Sequence, residues 1–399
     1  MRPDLTFLPL DGDAVVFSEE TQQLIGLNRT AALLVEKLQR GIPASELAQA
    51  LATEGLAAPD EAEQWVAMTL DGLRSCGVLD AGPVALIPSD TVSEDNDTAA
   101  GQAAECAPYK AFQPAAERRY RLLETCTLIR FGHVAQVRLV DSVIGHLATE
   151  DDAAPDIVMD ISAKLLGDGH LLSDVYRNGA PIGRARRLSR MAPIVKAALW
   201  QSAINGHDFL FYLHAGVVGT GTSCILLPAA AGSGKSSLTV ALVDHGFLYF
   251  SDEIALIEPG TFRVPPVPLA MCIKDSGWDL ISRYYPQLLS LPVHVRIDEK
   301  VIRYIPPPPN TLKGAAVPVS HIIFPRYDRD AETRLEPIDR SAALGRLMGE
   351  CLALRQRLDR ENVRELVCWI AGIECYELTF SCLDAARQLI VDATAFARA

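Results

Sequence analysis

The sequence predicts an α/β protein in two parts, a small winged-helix-like domain followed by a larger α/β core built around a glycine-rich loop. Three observations carry that expectation. Charge is divided unevenly: positions 1–118 hold 19 acidic and 7 basic side chains, whereas 119–399 hold 31 and 30. The first 85 residues show two short apolar runs and then three stretches of helical periodicity. Beyond residue 119 strand-like and helical runs alternate, and one strand-like run leads into Gly232-Ser233-Gly234-Lys235-Ser236.

Composition fits this reading. Of 399 residues, 49% are hydrophobic and 22% charged, with 27 Gly and 25 Pro, which excludes a disordered, collagen-like or disulfide-scaffold chain. The net charge of −13 argues against a nucleic-acid binder with a basic surface. No apolar run reaches the ~18 residues of a membrane helix. Met1-Arg2-Pro3-Asp4 lacks the basic start of a secretory signal. The nine cysteines include no Cys-x-x-Cys pair, and the seven-residue spacing of Cys368, Cys375 and Cys382 suits no zinc site. They are expected as buried free thiols in a reducing cytoplasm.

Within the first domain, 14–17 and 23–27 read as strands. Asn28 is placed to cap a helix over 30–39 that Gly41 closes, and Pro43 opens a second over 44–54. A third, 60–76, carries Trp65, Met68, Leu70 and Leu73 and ends at Gly77. The run Val16-Phe17, Ile25-Gly26-Leu27-Asn28-Arg29-Thr30-Ala31 and the later Leu73-Arg74-Ser75-Cys76-Gly77-Val78-Leu79 resemble the PqqD family. That resemblance implies a peptide chaperone over 1–87. Such domains hold the leader of a ribosomally made precursor peptide as a strand added to a sheet edge. The acidic balance of this part suggests a neutral or basic leader.

Residues 88–118 are rich in Ala, Ser, Asp and Glu and read as a flexible acidic linker. Further on, 122–128, 137–140 and 157–161 read as strands and 191–205 as a helix.

The glycine loop stands between an apolar strand, 224–227, and a helix starting at Lys235, which is the setting of a phosphate loop. Glycines let amides turn inward around phosphates, and the helix N-terminus adds its positive end. Gly232, Ser233, Gly234, Lys235, Ser236 and Ser237 are the candidate nucleotide contacts, with the Ser236 hydroxyl on Mg²⁺. Ala229 stands where the usual pattern has Gly, and would cost about 1 kcal/mol if that position were left-handed. Asp252-Glu253 follows Lys235 by 17 residues, at the end of the next strand, so two adjacent carboxylates arrive at the phosphates.

That arrangement, with His214-Ala215 on the preceding strand, resembles HPr kinase/phosphorylase and its relatives, whose core is akin to phosphoenolpyruvate carboxykinase. Leu269-Ala270-Met271-Cys272-Ile273-Lys274-Asp275, Val301-Ile302-Arg303-Tyr304, Ile322-Ile323-Phe324-Pro325-Arg326-Tyr327 and Glu374-Cys375-Tyr376-Glu377 extend the resemblance across 119–399. It implies ATP and Mg²⁺ as cofactors. Asp252 is the implied base, His214 its hydrogen-bonding partner, and Glu253, where the family has a second Asp, an acid shared between catalysis and metal. Lys274 and Arg303 are candidate phosphate clamps. Members of that family are oligomeric, so a homo-oligomer is an open expectation.

Together the two resemblances imply an ATP-dependent kinase acting on a Ser or Thr of a precursor peptide held by its leader. Two other readings stay open: a kinase of a free small molecule such as serine, and a non-enzymatic, ATP-gated peptide-binding protein.

Overall fold

Three short strands open the chain because apolar side chains alternate between two faces that are both covered. In a computed structural model, which describes residues 5–79, 103, 105–308, 311 and 314–395, these are β1 (Leu5–Leu10), β2 (Asp13–Ser18) and β3 (Gln23–Leu27). They form an antiparallel sheet in the order β1-β2-β3. The β1–β2 turn is Asp11-Gly12, both at positive φ (50° and 87°), the primed geometry that matches strand twist. β1 adds a strand to the two read from sequence. Its Pro9 obscures the pattern, but proline is tolerated on an edge strand. Helices α1 (Arg29–Gln39), α2 (Leu47–Thr53) and α3 (Ala62–Ser75) follow. Asn28 caps α1 as expected, its side chain accepting from the Ala31 N–H at 3.0 Å. Pro43 precedes a 3₁₀ turn, Ala44–Glu46, rather than opening α2 directly.

The two sheet faces have different neighbours. Ala14, Val16 and Leu27 pack on the domain's own helices, including Leu34, Val35, Leu47 and Leu70. Leu8, Leu10, Val15 and Phe17 on the other face join the apolar core of the larger part.

The next unit comprises β4 (Ala116–Leu122), β5 (Thr125–Phe131), α4 (Val134–Ile144), β6 (Ile157–Ile161), β7 (Lys164–Leu165), β8 (Leu171–Arg177), β9 (Ala180–Ala185) and α5 (Leu188–Gly206). Its sheet order is β4-β5-β6-β8-β7, with β9 on β8. Three expectations are corrected here. The run 122–128 is not one strand: Leu122 ends β4, 123–124 form the hairpin turn with Leu123 at φ 51°, and 125–128 begin β5. The run 137–140 is helical, because His133 and Gln136 form a capping box ahead of it and Val140, Val143 and Ile144 recur on one face. Residues 116–118, assigned to the linker, are the start of β4. Linker positions 88–102 and 104 lie outside the described residues. Ala107 donates its N–H to the Asp174 carboxylate at 3.3 Å, and Tyr109 meets Tyr176 edge-on at 5.2 Å.

The last unit supplies β10 (Phe211–Leu213), β11 (Ala215–Gly219), β12 (Cys224–Pro228), α6 (Lys235–His245), β13 (Leu248–Ser251), β14 (Ala255–Ile257), β15 (Arg263–Val264), β16 (Met271–Lys274), α7 (Trp278–Ile281), β17 (His294–Val295), β18 (Val301–Ile305), β19 (Val317–Tyr327), β20 (Arg334–Pro337), α8 (Arg340–Gly349), β21 (Cys351–Leu354), α9 (Arg360–Ala371), β22 (Glu374–Phe380) and α10 (Leu383–Ala393). The central sheet runs β13-β11-β12-β19-β22-β20, with β12, β19 and β22 parallel and β15 also on β19. Two small sheets, β14-β10-β21 and β16-β18-β17, flank it.

Helices α8 and α9 receive the N-terminal sheet. Arg340 pairs with Asp11 at 3.0 Å, and the Ser341 hydroxyl bonds Asp13. The Gln22 amide donates to the Leu358 carbonyl and accepts from its N–H, both at 2.8 Å. All nine cysteines are free, but only Cys126, Cys224 and Cys375 are buried. The expectation of buried thiols therefore fails for Cys368 and Cys382, which lie exposed, one on α9 and one at the cap of α10. No described helix is long and apolar enough to cross a membrane.

Candidate functional site

All five residues of β12 are buried, which fixes the strand end from which the loop 229–234 springs. The left-handed positions of the loop are Gly232 (φ 94°) and Gly234 (φ 85°), whereas Ala229 is absent from the positive-φ residues. The substitution at 229 therefore carries no backbone strain. Gly234 is the N-cap of α6, and among the described residues no backbone acceptor meets the amides of Gly232, Gly234, Lys235 or Ser236. Four donors are thus presented at the positive end of a helix.

Close packing demands glycine at 234 but not at 232. A Cβ on Gly234 would lie 2.6 Å from Phe380 Cζ and 3.3 Å from Tyr327 Cβ, whereas one on Gly232 meets nothing within 4 Å. Gly234→Ala is expected to cost about 2–3 kcal/mol and Gly232→Ala about 1, from left-handed strain with and without overlap. Urea unfolding of both variants checks the order, and equal costs would contradict it. Gly216 of β11 is constrained similarly, since a Cβ there would come within 2.7 Å of Thr239 Oγ1 and press on Lys235 Cγ.

Around the loop sits a cluster of buried charge. The Lys235 ammonium is buried with no hydrogen-bond partner. Burial pushes its pKa down to about 8, against the pull of Asp252, Glu253 and Glu350. Asp252 is also buried, and burial raises it to about 6, opposed by Lys235 and by a hydrogen bond from Ser236. One oxygen of Asp252, Oδ1, has no partner, and neither does the buried Ser233 hydroxyl. Burial pushes Glu253 up as well, but its ion pair with Lys196, aided by Arg296 and Lys235, holds it below the usual carboxylate range.

His214 lies between β10 and β11. Its N–H donates to the Glu350 carbonyl at 2.9 Å, and its own carbonyl accepts from Ala229 N–H at 3.4 Å. Burial and then Lys235 push its imidazole down to about 4, so it is neutral at physiological pH. The acid beside it is Glu350, at 3.9 Å from Nδ1, not Asp252 as expected. Lys274 ends β16 close enough for its charge to act on both His214 and Lys235.

The structure thus gathers His214, Ser233, Lys235, Ser236, Asp252, Glu253 and Lys274 around the loop. Ser237 occupies the first turn of α6 and is half-buried. Arg303 is not brought to the cluster, because its guanidinium donates to the Leu291 carbonyl and stacks 4.5 Å above Trp278. In a strand Arg303 and its neighbours alternate faces, and Arg303 pairs with Ile273, one step out of phase with Lys274. Sequence reasoning also missed Lys196, Arg296 and Glu350. Lys196 could have been noticed as a charge among the apolar positions of α5; the other two belong to no motif.

Residues 13–79 match the family of coenzyme PQQ synthesis protein D (PqqD), so the N-terminal domain is a PqqD domain. Among solved structures, the chain is similar to the Hpr(Ser) kinase/phosphatase from Coxiella burnetii. The alignment spans 46% of this chain and 96% of that one at 14% identity, with a TM-score of 0.22, a level that fixes neither fold nor activity. No curated protein matches.

Proposed function

We propose that this chain is an ATP-dependent kinase that phosphorylates a Ser or Thr hydroxyl of a ribosomally synthesised precursor peptide, whose leader the PqqD domain holds. The carrying observation is a buried lysine with no partner at the mouth of a loop of unpaired amides, beside two carboxylates. A buried ammonium without a hydrogen bond is costly, and phosphate oxygens would supply the acceptors it lacks. The free Ser233 hydroxyl fits the same group, and the free Asp252 Oδ1 fits an acceptor hydroxyl beside it.

In this reading Gly232, Ser233, Gly234, Lys235, Ser236 and Ser237 hold the ATP phosphates, with Lys274 at their rim. Ser236 and Glu253 carry the oxygens that would hold Mg²⁺, which when bound neutralises charge on the terminal phosphates. Asp252 accepts the proton of the acceptor hydroxyl through its free oxygen. Neutral His214 lines the site as a polar neighbour that brings no charge of its own. On the PqqD domain, Trp65 and Met68 stand three residues apart on α3 and are 46% and 62% exposed, an apolar surface for a peptide.

The base must be ionised and the lysine charged. Asp252, raised to about 6, loses its proton as pH rises through that value, and Lys235, lowered to about 8, loses its charge above it. The kcat/KM profile is therefore expected to be bell-shaped, with its limbs near those two values. A rate still rising at pH 10 would contradict the assignment of Lys235.

The functional test mixes the full chain with Mg-ATP and a candidate precursor peptide and follows peptide mass. Gain of one phosphate on a Ser or Thr supports the proposal. Phosphate on free serine alone would replace the peptide with a small-molecule acceptor, and nucleotide-dependent binding without transfer would leave an ATP-gated holder.

A further inference from the structure

Lys196 is a buried residue of α5, a helix whose Val195, Ala198 and Leu199 belong to the apolar core shared with Ile254, Leu256 and Tyr304. It is 4% exposed and sits 5.2 Å from the centre of the Tyr304 ring. What compensates the ammonium is Glu253 Oε2, from the segment after β13. Lys196 is in turn the one hydrogen-bond partner of the Glu253 carboxylate among the described residues, and the Glu253 side chain is still 34% exposed. One carboxylate oxygen is thus anchored from a helix outside the loop region, and the carboxylate keeps access to solvent. A buried ion pair contributes little to stability compared with apolar side chains of the same volume. A pair whose acid adjoins Asp252 and whose charge reaches Lys235 and His214 is better explained by the site than by the core.

We propose that Lys196 is the positioning residue of the phosphotransfer site: it fixes Glu253 through one oxygen, leaves the other for the reacting phosphates and their metal, and so governs transfer rate rather than nucleotide affinity. The inference rests on the kinase reading above. Arg296, whose charge also acts on Glu253, stands on the same side but is tied to Asp298 at 3.2 Å.

The test uses the full chain, phosphate release from Mg-ATP (transfer to water in place of the peptide hydroxyl) as the rate, and binding of ADP without Mg²⁺ by calorimetry as the affinity. Lys196→Met is expected to slow phosphate release about 10–100-fold, the usual effect of removing a group that orients a ligating residue. Affinity for ADP without Mg²⁺ should stay at the wild-type value, since Lys196 acts on the metal-side carboxylate and not on the loop, and Lys196→Arg should regain most of the rate. Without any ligand, Lys196→Met should lower the thermal midpoint, and Lys196→Met combined with Glu253→Gln should return it toward wild type. If Lys196→Met does not fold, the comparison moves to Glu253→Gln with and without Lys196→Met. A lysine that acts only through Glu253 predicts equal rates for those two. Wild-type phosphate release by Lys196→Met, a parallel loss of rate and affinity that Arg does not rescue, or a further drop in the double variant would each overturn the inference. A wild-type chain that binds no ADP, with or without Mg²⁺, and releases no phosphate overturns the kinase reading, and this one with it.

Discussion

Lys235→Met is expected to abolish phosphate transfer, by about 10³-fold or more, while leaving the thermal midpoint within about 4 °C of wild type. The rate effect follows from charge. Lys235 is the cation at the loop mouth, buried where the local dielectric is low, so its attraction for developing phosphate charge is little screened. The small stability effect follows from the same burial. Its ammonium makes no hydrogen bond, so removing it strands no donor or acceptor. Methionine keeps the stem that packs beneath Gly216. Burial holds the lysine pKa near 8, so in the folded protein its charge is disfavoured, and that penalty is fully present below pH 8 and relieved only toward its ordinary value of 10.5. Against this relief stands Asp252, which loses a neighbour that lowers it and titrates higher in the variant. Calorimetry of the ligand-free variant together with a phosphate-release assay checks both halves. A large fall in stability with the rate preserved would show that the lysine is structural.

What could be read from the sequence were features written in consecutive residues. Asn28 three places before Ala31, glycines at 232 and 234 before a lysine, and paired acids after a short strand each depend on local backbone geometry, and the structure shows those local forms. What could not be read depends on contacts between distant segments. Val137 and Val140 look like strand residues until His133 and Gln136 cap them into a helix. His214 was matched with Asp252, whereas the acid beside it comes from the end of α8, 136 residues later in the chain. Lys196 belongs to no motif, and only its burial against Glu253 singles it out. Lys274 and Arg303 lie on paired strands of one small sheet, and only the register decides that one reaches the cluster and the other stacks on Trp278.

A chain beginning at residue 80 is expected to aggregate or to unfold without a cooperative transition, although sequence alone presents the PqqD domain as separable. Leu8, Leu10, Val15 and Phe17 pack in one cluster with Ala343, Leu344 and Leu347 of α8 and with Val363, Leu366, Val367 and Ile370 of α9. Burying a large apolar side chain stabilises by about 1.5–3 kcal/mol, so four of them contribute on the order of 6–12 kcal/mol. That is the scale of a whole domain's stability, and deletion leaves the facing surface of α8 and α9 bare. The ion pair Arg340–Asp11 and the Gln22–Leu358 bonds are lost with it. The same geometry bears on how a peptide would be delivered. The first turn of α8 contacts the PqqD sheet through Arg340 and Ser341, and the residue after its last turn is Glu350, next to His214. A held leader would then enter from a fixed direction relative to the glycine loop, whatever length of chain connects the two domains. Adding a 1–79 fragment in trans should restore solubility and a cooperative transition to the 80–399 fragment, since the contacts between them need no covalent link. A soluble 80–399 fragment with an unchanged midpoint would show that the sheet face is not part of the core.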